Sequence, residues 1–308
     1  MRRNFSSNLL CFLLAMTLGM GLASCAIKND IPYPGQAPDK NGGSNNSGGN
    51  SGGGSTLTPT LTDSNGQSYQ LTSLENPNSG DLPLHYNYDA AGRLTSYGGA
   101  DFEATVSGNT ISIRGFDHGV EYYQQKYVLT TNAKGSITHC TFTYTANDSE
   151  GSENGSGEAN FTYNAANQLA SLAWSTRINW AEDGMSGVYN YALNMTLTWE
   201  NGNLTKTEYD ITEQEYGESE SHHGSRTLAY GTQVNASKQM PARFIKLLSE
   251  GEFLDMLYYL APLGLFGVGP TYLPTAINDS PISFELNPNG TIHTETEHSY
   301  ITTYGYGN

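Results

Sequence analysis

Apolar and polar residues alternate along most of the chain after residue 57. Phe142 and Tyr144 fall on one side of their segment, whereas Thr141 and Thr143 fall on the other. A period of two is typical of a strand with one buried face and one face in water. The alternation therefore predicts antiparallel strands and argues against a parallel α/β sheet, whose strands are apolar on both faces.

A turn pattern recurs between these predicted strands. In each copy an Asn or Asp ends the alternation, a Gly or Asn follows, and the next strand begins near a Leu or Ile; the copies are residues 85–94, 129–137, 161–169, 197–204 and 284–292, with a shorter variant at 106–111. Asn and Asp bond their own backbone in turns, and Gly accepts the left-handed conformation. The repeat predicts an all-β fold, an antiparallel meander of hairpins that forms a curved or barrel-like sheet.

One region departs from the strand pattern. Residues 241–260 carry Phe244, Leu247, Leu248 and Leu257 at helical spacing, and Pro241 suits a first helical turn. We expect one or two short helices that cover the apolar face of the sheet. The alternative is that this segment, with the glycine-rich residues 263–270 after it, inserts into a membrane or a partner.

The N-terminus has the form of a secretory signal. Arg2 and Arg3 precede a short apolar run, and the small residues Ala23 and Ser24 come directly before Cys25. This arrangement resembles the lipobox of bacterial lipoproteins. The resemblance implies cleavage between Ser24 and Cys25, and acylation of Cys25 as the membrane anchor.

Three regions follow along the chain. Residues 1–24 are predicted to be the lipoprotein signal peptide, and residues 25–56 a lipidated, disordered tether rich in Gly, Ser and Asn. Residues 57–308 form a single β-rich domain with the helical insertion at 241–260. Ala26 replaces the aspartate that retains some lipoproteins in the inner membrane, so the predicted location is the outer membrane, on either its periplasmic side or the cell surface.

The formal net charge of −16 excludes nucleic acid as a partner, because nucleic acid requires clustered Lys and Arg. The acids concentrate in two segments that we expect to be solvated loops; they hold Asp148, Glu150, Glu153 and Glu158, and Glu213, Glu215, Glu218 and Glu220. Cys140 is the one cysteine left for the β domain. It has no disulfide partner there, and we expect it to be buried.

Few residues suggest chemistry, and no catalytic motif or cofactor site is recognisable. His293, Glu295 and Glu297 could share one strand face as metal ligands, but we favour an exposed polar strand face and predict no metal site. For ligand binding the candidates are aromatic stacking platforms, with core packing as the alternative; they are Trp174, Trp180 and Trp199.

A family resemblance extends over the region from about residue 60. Tyr86 to Asp89 with Gly92-Arg93-Leu94 looks like a YD-repeat unit. The lipobox, the tether, the serial hairpins and the insertion before Leu273-Pro274-Thr275 are similar to a family of Bacteroidetes lipoproteins of unknown function, described as having a porin-like fold. The resemblance implies a fold and supplies no catalytic residues. A membrane-spanning barrel is not expected, because its lipid face would consist of Thr, Asn and charged residues.

These observations favour a lipid-anchored envelope protein whose β domain lies in water. We expect a non-enzymatic binding or structural module, attached to the membrane through Cys25, with a glycan or an envelope protein as partner. The alternative is a hydrolase that acts on envelope or dietary polymers through an Asp/Glu pair.

The anchor gives the first prediction. A Cys25→Ala chain should leave the membrane fraction and lose palmitate labelling, because the acyl chains supply about 0.8 kcal/mol of membrane affinity per methylene. Cell fractionation measures this, with Cys140→Ala as the control that keeps the lipobox. Retention of Cys25→Ala in the membrane would contradict the anchor.

Overall fold

The computed structural model describes residues 56–59, 61–75, 83–147, 151–182, 184–248 and 255–307. Ser24, Cys25 and nearly all of the predicted tether lie outside these residues. The strands are β1 Leu61–Thr62, β2 Ser68–Glu75, β3 Leu84–Tyr88, β4 Leu94–Gly98, β5 Phe102–Ser107, β6 Thr110–Asp117, β7 Val120–Thr131, β8 Ile137–Asn147, β9 Gly151–Tyr163, β10 Leu169–Glu182, β11 Met185–Glu200, β12 Asn203–Glu215, β13 Glu218–Val234, β14 Tyr272–Ile277, β15 Ser280–Leu286, β16 Ile292–Glu297 and β17 Tyr300–Gly307. The helices are α1 Arg243–Leu248, α2 Asp255–Tyr258 and a 3₁₀ turn at Ala261–Leu263.

Strands β2 to β17 form one closed antiparallel barrel of 16 strands. Each strand pairs with the next along the chain, and β17 closes the ring on β2 through pairs such as Tyr304 with Leu74. The short β1 adds to β2. The predicted all-β meander is therefore confirmed, and the sheet is closed rather than open.

The recurrent turns all lie at one end of the barrel, which we call the turn end. A meander reverses direction at each hairpin, so every second connection returns to the same end, and each recurrent turn joins an odd-numbered strand to the following even-numbered one. Five of these connections share one turn geometry. Their first residue is Asp or Asn, and the residue three positions later has positive φ: Asp63 with Gly66, Asp89 with Gly92, Asn132 with Gly135, Asn164 with Asn167, and Asn287 with Gly290.

The Asp89 turn shows the physical basis of the pattern. The Asp89 carboxylate accepts the backbone N–H groups of Ala91 and Arg93 at 2.9 and 3.0 Å, and it pairs with the Arg93 guanidinium. Hydrogen bonding by Arg93 lowers the pKa of Asp89. Gly92 has φ of 76°, which an L side chain resists. The residues that formed the sequence pattern thus close the turn themselves.

The described part of the connection between β13 and β14, residues 235–248 and 255–271, fills the barrel and is called the plug here. Sixteen strands enclose more space than strand side chains alone can fill. The plug supplies Phe244, Tyr258, Leu263 and Phe266, each at most 2% exposed. The predicted helices lie in this segment as α1 and α2, and the described part of the insertion is buried. No helix among the described residues is long and apolar enough to cross a membrane.

Hydrogen bonds hold the plug to strands and turns around the ring. They have lengths of 2.8 to 2.9 Å and join Tyr86 to Tyr259, Ile137 to Leu265, Val268 to Asn167, and Thr271 to Gly202. Because these contacts come from separate hairpins, the plug ties the hairpins of the turn end together.

Glu295 on β16 is the buried anchor of helix α1. Its carboxylate accepts the backbone N–H of Arg243 at 3.2 Å and the hydroxyl of Tyr304 at 2.7 Å. Glu295 is 0% exposed, and burial raises its pKa, while Tyr304 and Arg243 oppose that rise. The Arg243 side chain pairs with Glu297 at 3.0 Å. The carboxylate therefore accepts a hydrogen bond from a backbone N–H that has no partner within the first turn of the helix.

Removing this anchor should destabilise the barrel. Glu295→Ala leaves a backbone N–H and a buried hydroxyl without their acceptor, and we expect the free energy of unfolding to fall by about 3 kcal/mol. Glu295→Gln keeps one acceptor and should cost less. Urea denaturation measures both, with the exposed Glu285→Ala on neighbouring β15 as the control, expected to change stability by at most about 0.5 kcal/mol. Equal losses at positions 285 and 295 would refute the anchor.

Candidate functional site

A concave groove crosses the outer face of strands β7 to β13, with a volume of about 890 Å³. We call it the outer groove. One row of its side chains comes from residues that pair directly across seven neighbouring strands; in order they are Lys126, Thr143, Ser156, Arg177, Asn190, Gln214 and Ser219. Every member is polar, so the row is a continuous series of hydrogen-bonding groups and positive charges.

A second row runs beside the first, two residues along each strand. It consists of Val128, Thr141, Glu158, Ser175, Ala192 and Thr212. Most of these side chains are short, so this part of the groove is open to a ligand. Glu158 is the one carboxylate among the residues that line the groove.

Glycines on the inner face of β9 allow the sheet to approach the core beneath the groove. A Cβ on Gly157 would lie 2.6 Å from the Phe142 ring and 2.2 Å from the Ser175 carbonyl oxygen. A Cβ on Gly155 would lie 2.8 Å from the Ile178 side chain. All three distances are far below van der Waals contact, so only glycine permits this close packing.

The backbone beneath the groove is already paired. The N–H and C=O groups of β7 to β12 form ladders with both neighbours, whereas residues 218–226 of β13 have ladder partners only on β12. A peptide could not add as a strand over β7 to β12, because strand addition needs a free sheet edge. Recognition here must use side chains.

The two cations of the groove are free of ion pairs. Neither Lys126 nor Arg177 contacts a carboxylate among the residues that the structure describes, whereas Arg93, Arg114 and Arg243 all form ion pairs. In the described part of the chain Lys134 and Lys238 also form no ion pair, so Lys126 and Arg177 are distinguished by their place in one cross-strand row.

The predicted loop at residues 148–158 is corrected by the structure. Strand β9 begins at Gly151, so Glu153 and Glu158 lie in a strand, and Asp148 and Glu150 fall outside the described residues. Glu213, Glu215, Glu218 and Glu220 likewise lie in β12 and β13. The Gly, Ser and acid content of β9 suggested a loop, but pairing with β8 and β10 on both sides holds it extended.

The three tryptophan candidates do not line the outer groove. Trp174 is 3% exposed and stacks on Tyr191 at 4.7 Å, in the core beneath it. Trp199 is partly buried and donates its indole N–H to the Leu169 carbonyl at 2.7 Å. Trp180 lies on the inner face, 5.7 Å from the Tyr216 ring. Packing explains Trp174 and Trp199, since neither offers a free ring face.

The metal candidates do not converge. A β-bulge at His293, opposite Glu285 and Leu286, leaves the His293 side chain exposed, while Glu295 is buried against the plug and Glu297 pairs with Arg243. No group of three or more His, Cys, Asp or Glu side chains among the described residues could hold a metal ion. The strand-face argument assumed unbroken alternation, and the bulge interrupts it.

Cys140 is 0% exposed and faces the core from β8. Burial raises the pKa of its thiol to about 12. A protonated, inaccessible thiol is unreactive at neutral pH, so the prediction of a buried cysteine is confirmed.

The fold and groove together define a closed, plugged antiparallel β-barrel with a polar site on its outer face. No protein-family model and no curated protein matches the sequence. Crystal structures of porin-like proteins from Bacteroides vulgatus ATCC 8482 and Bacteroides uniformis ATCC 8492 are similar to the chain, at 12% and 18% identity and TM-scores of 0.46 and 0.44. Each alignment covers 77% of this chain and 98% of the other. The barrel itself is assigned from the strand pairing of this chain.

Proposed function

We propose that this chain is a lipid-anchored protein of the outer membrane, a member of the lipoprotein family that its sequence resembles. In this proposal its barrel lies in water and binds an oligosaccharide in the outer groove without altering it. The observation that carries the proposal is the row of polar side chains across seven strands.

The polarity of the outer face supports a barrel in water. Strand β8 presents Thr141, Thr143 and Thr145 outward, and β9 presents Asn154, Ser156 and other polar residues. A lipid-facing barrel needs an apolar outer band instead. The barrel therefore needs a separate anchor, which Cys25 provides in this proposal.

The form of the groove supports a chain-like, hydroxyl-rich ligand. The groove spans seven strands at about 4.8 Å each, which suits an extended molecule. Hydroxyl and amide side chains such as Thr143, Asn190 and Gln214 can donate to and accept from sugar hydroxyls. The aliphatic members of the two rows are Val128 and Ala192, and Phe142 and Tyr191 also contribute to the lining, so the groove offers apolar contacts beside its hydrogen-bonding groups.

Binding is favoured over hydrolysis by the number of carboxylates. Glycoside hydrolysis uses two carboxyl groups on either side of the bond. Among the residues that line the groove, Glu158 is the one with a carboxyl group. In this proposal the groove holds its ligand and does not cleave it.

A glycan array with the full-length protein in detergent tests the proposal. We expect binding to oligosaccharides, weakened about 30-fold by Asn190→Ala with Gln214→Ala, because each lost hydrogen bond is worth about 1 kcal/mol. The control is Asn194→Ala, on the same face of β11 but outside the groove.

Two results would count against this function. Absence of binding to every oligosaccharide would refute it. Release of new reducing ends from a bound glycan, abolished by Glu158→Gln, would replace binding with hydrolysis.

A further inference from the structure

We propose that the outer groove selects an acidic oligosaccharide, whose carboxylate or sulfate groups bind Lys126 and Arg177. This inference rests on the proposed function and names the ligand class of the same site.

The first support is the placement of the two cations. The chain has 14 Lys and Arg against 30 Asp and Glu. Lys126 and Arg177 nevertheless stand in the same cross-strand row, exposed, with no carboxylate partner among the described residues. An anionic ligand group would supply the partner that each lacks, and the Arg177 guanidinium matches a carboxylate or sulfate bidentately.

The spacing of the cations indicates a ligand of low charge density. Lys126 lies on β7 and Arg177 on β10, three strand spacings or about 14 Å apart. Nucleic acid carries one charge per about 1.7 Å of duplex and would meet strong repulsion from the −16 chain. A glycan with acidic residues separated by neutral ones fits two isolated cations.

Glu158 sharpens this selection. It lies on β9, between the strands of the two cations, and faces the same groove. Its carboxylate repels a ligand anion at the centre but accepts hydrogen bonds from sugar hydroxyls. Anionic groups are therefore favoured at Lys126 and Arg177, and a neutral, hydroxyl-bearing sugar between them.

Paired glycans that differ in charge test the inference. Oligogalacturonate is compared with its methyl ester, which removes the carboxylate charge, and chondroitin sulfate with unsulfated chondroitin, which isolates the sulfate. Calorimetry on the full-length protein in detergent measures each affinity. We expect the charged member of at least one pair to bind about tenfold more tightly than its partner, because charge-assisted hydrogen bonds are stronger than neutral ones.

Variants assign that preference to the two cations. Lys126→Ala and Arg177→Ala should each weaken binding of the charged glycan about fivefold more than they weaken binding of the neutral member. Arg177→Gln keeps hydrogen bonding but removes the charge, so it should behave like Arg177→Ala. Lys134→Ala, which removes a cation from a turn-end loop, is the matched control and should keep the preference.

The outcomes separate the two proposals. Equal binding of charged and neutral members, or a preference that survives in the Lys126 and Arg177 variants, overturns the acidic-ligand inference and leaves the groove as a glycan site. Failure of both pairs to bind overturns the inference; failure of every glycan on the array overturns the proposed function as well.

Discussion

Closure of the sheet between β17 and β2 is the constraint on which the rest of the structure depends. Pairs such as Tyr304 with Leu74 join the last strand to the second and turn a long meander into a closed ring. Closure gives each strand an inside and an outside, and the alternation of apolar and polar residues then places the aromatic side chains within. It also creates an interior too wide for strand side chains alone, which the plug fills.

The plug converts separate hairpins into a cooperative unit. It is held through Glu295 on β16, Tyr86 on β3 and Ile137 on β8, and these strands are far apart in the ring. A carboxylate buried in the core costs free energy unless its acceptor positions are used. Glu295 meets this condition because it receives backbone and hydroxyl hydrogen bonds, so it serves helix α1 rather than a metal ion.

The outer groove also depends on the closed barrel, because most of its residues are outward-facing positions of the same strands. Because the core takes the aromatic residues, the outer positions of β7 to β13 are free to carry short polar side chains. Gly155 and Gly157 let the core rings approach the sheet, and register then places Lys126, Ser156 and Arg177 in one row. Cross-strand register thus assembles a polar surface from residues that are far apart in the sequence.

Local patterns in the sequence determined the strands, the recurrent turns and the insertion that became the plug, because period-two alternation and turns such as that of Asp89 depend on neighbouring residues. The burial of Cys140 followed in the same way. The Gly and Ser content of β9 predicted a loop, and this prediction was wrong because the segment is a strand. The prediction that His293 shares a face with Glu295 was also wrong, because a bulge interrupts the alternation in β16. Only the tertiary structure decided the closure of the barrel, the role of Glu295 and the alignment of the groove, since each depends on register between strands, which no single segment specifies.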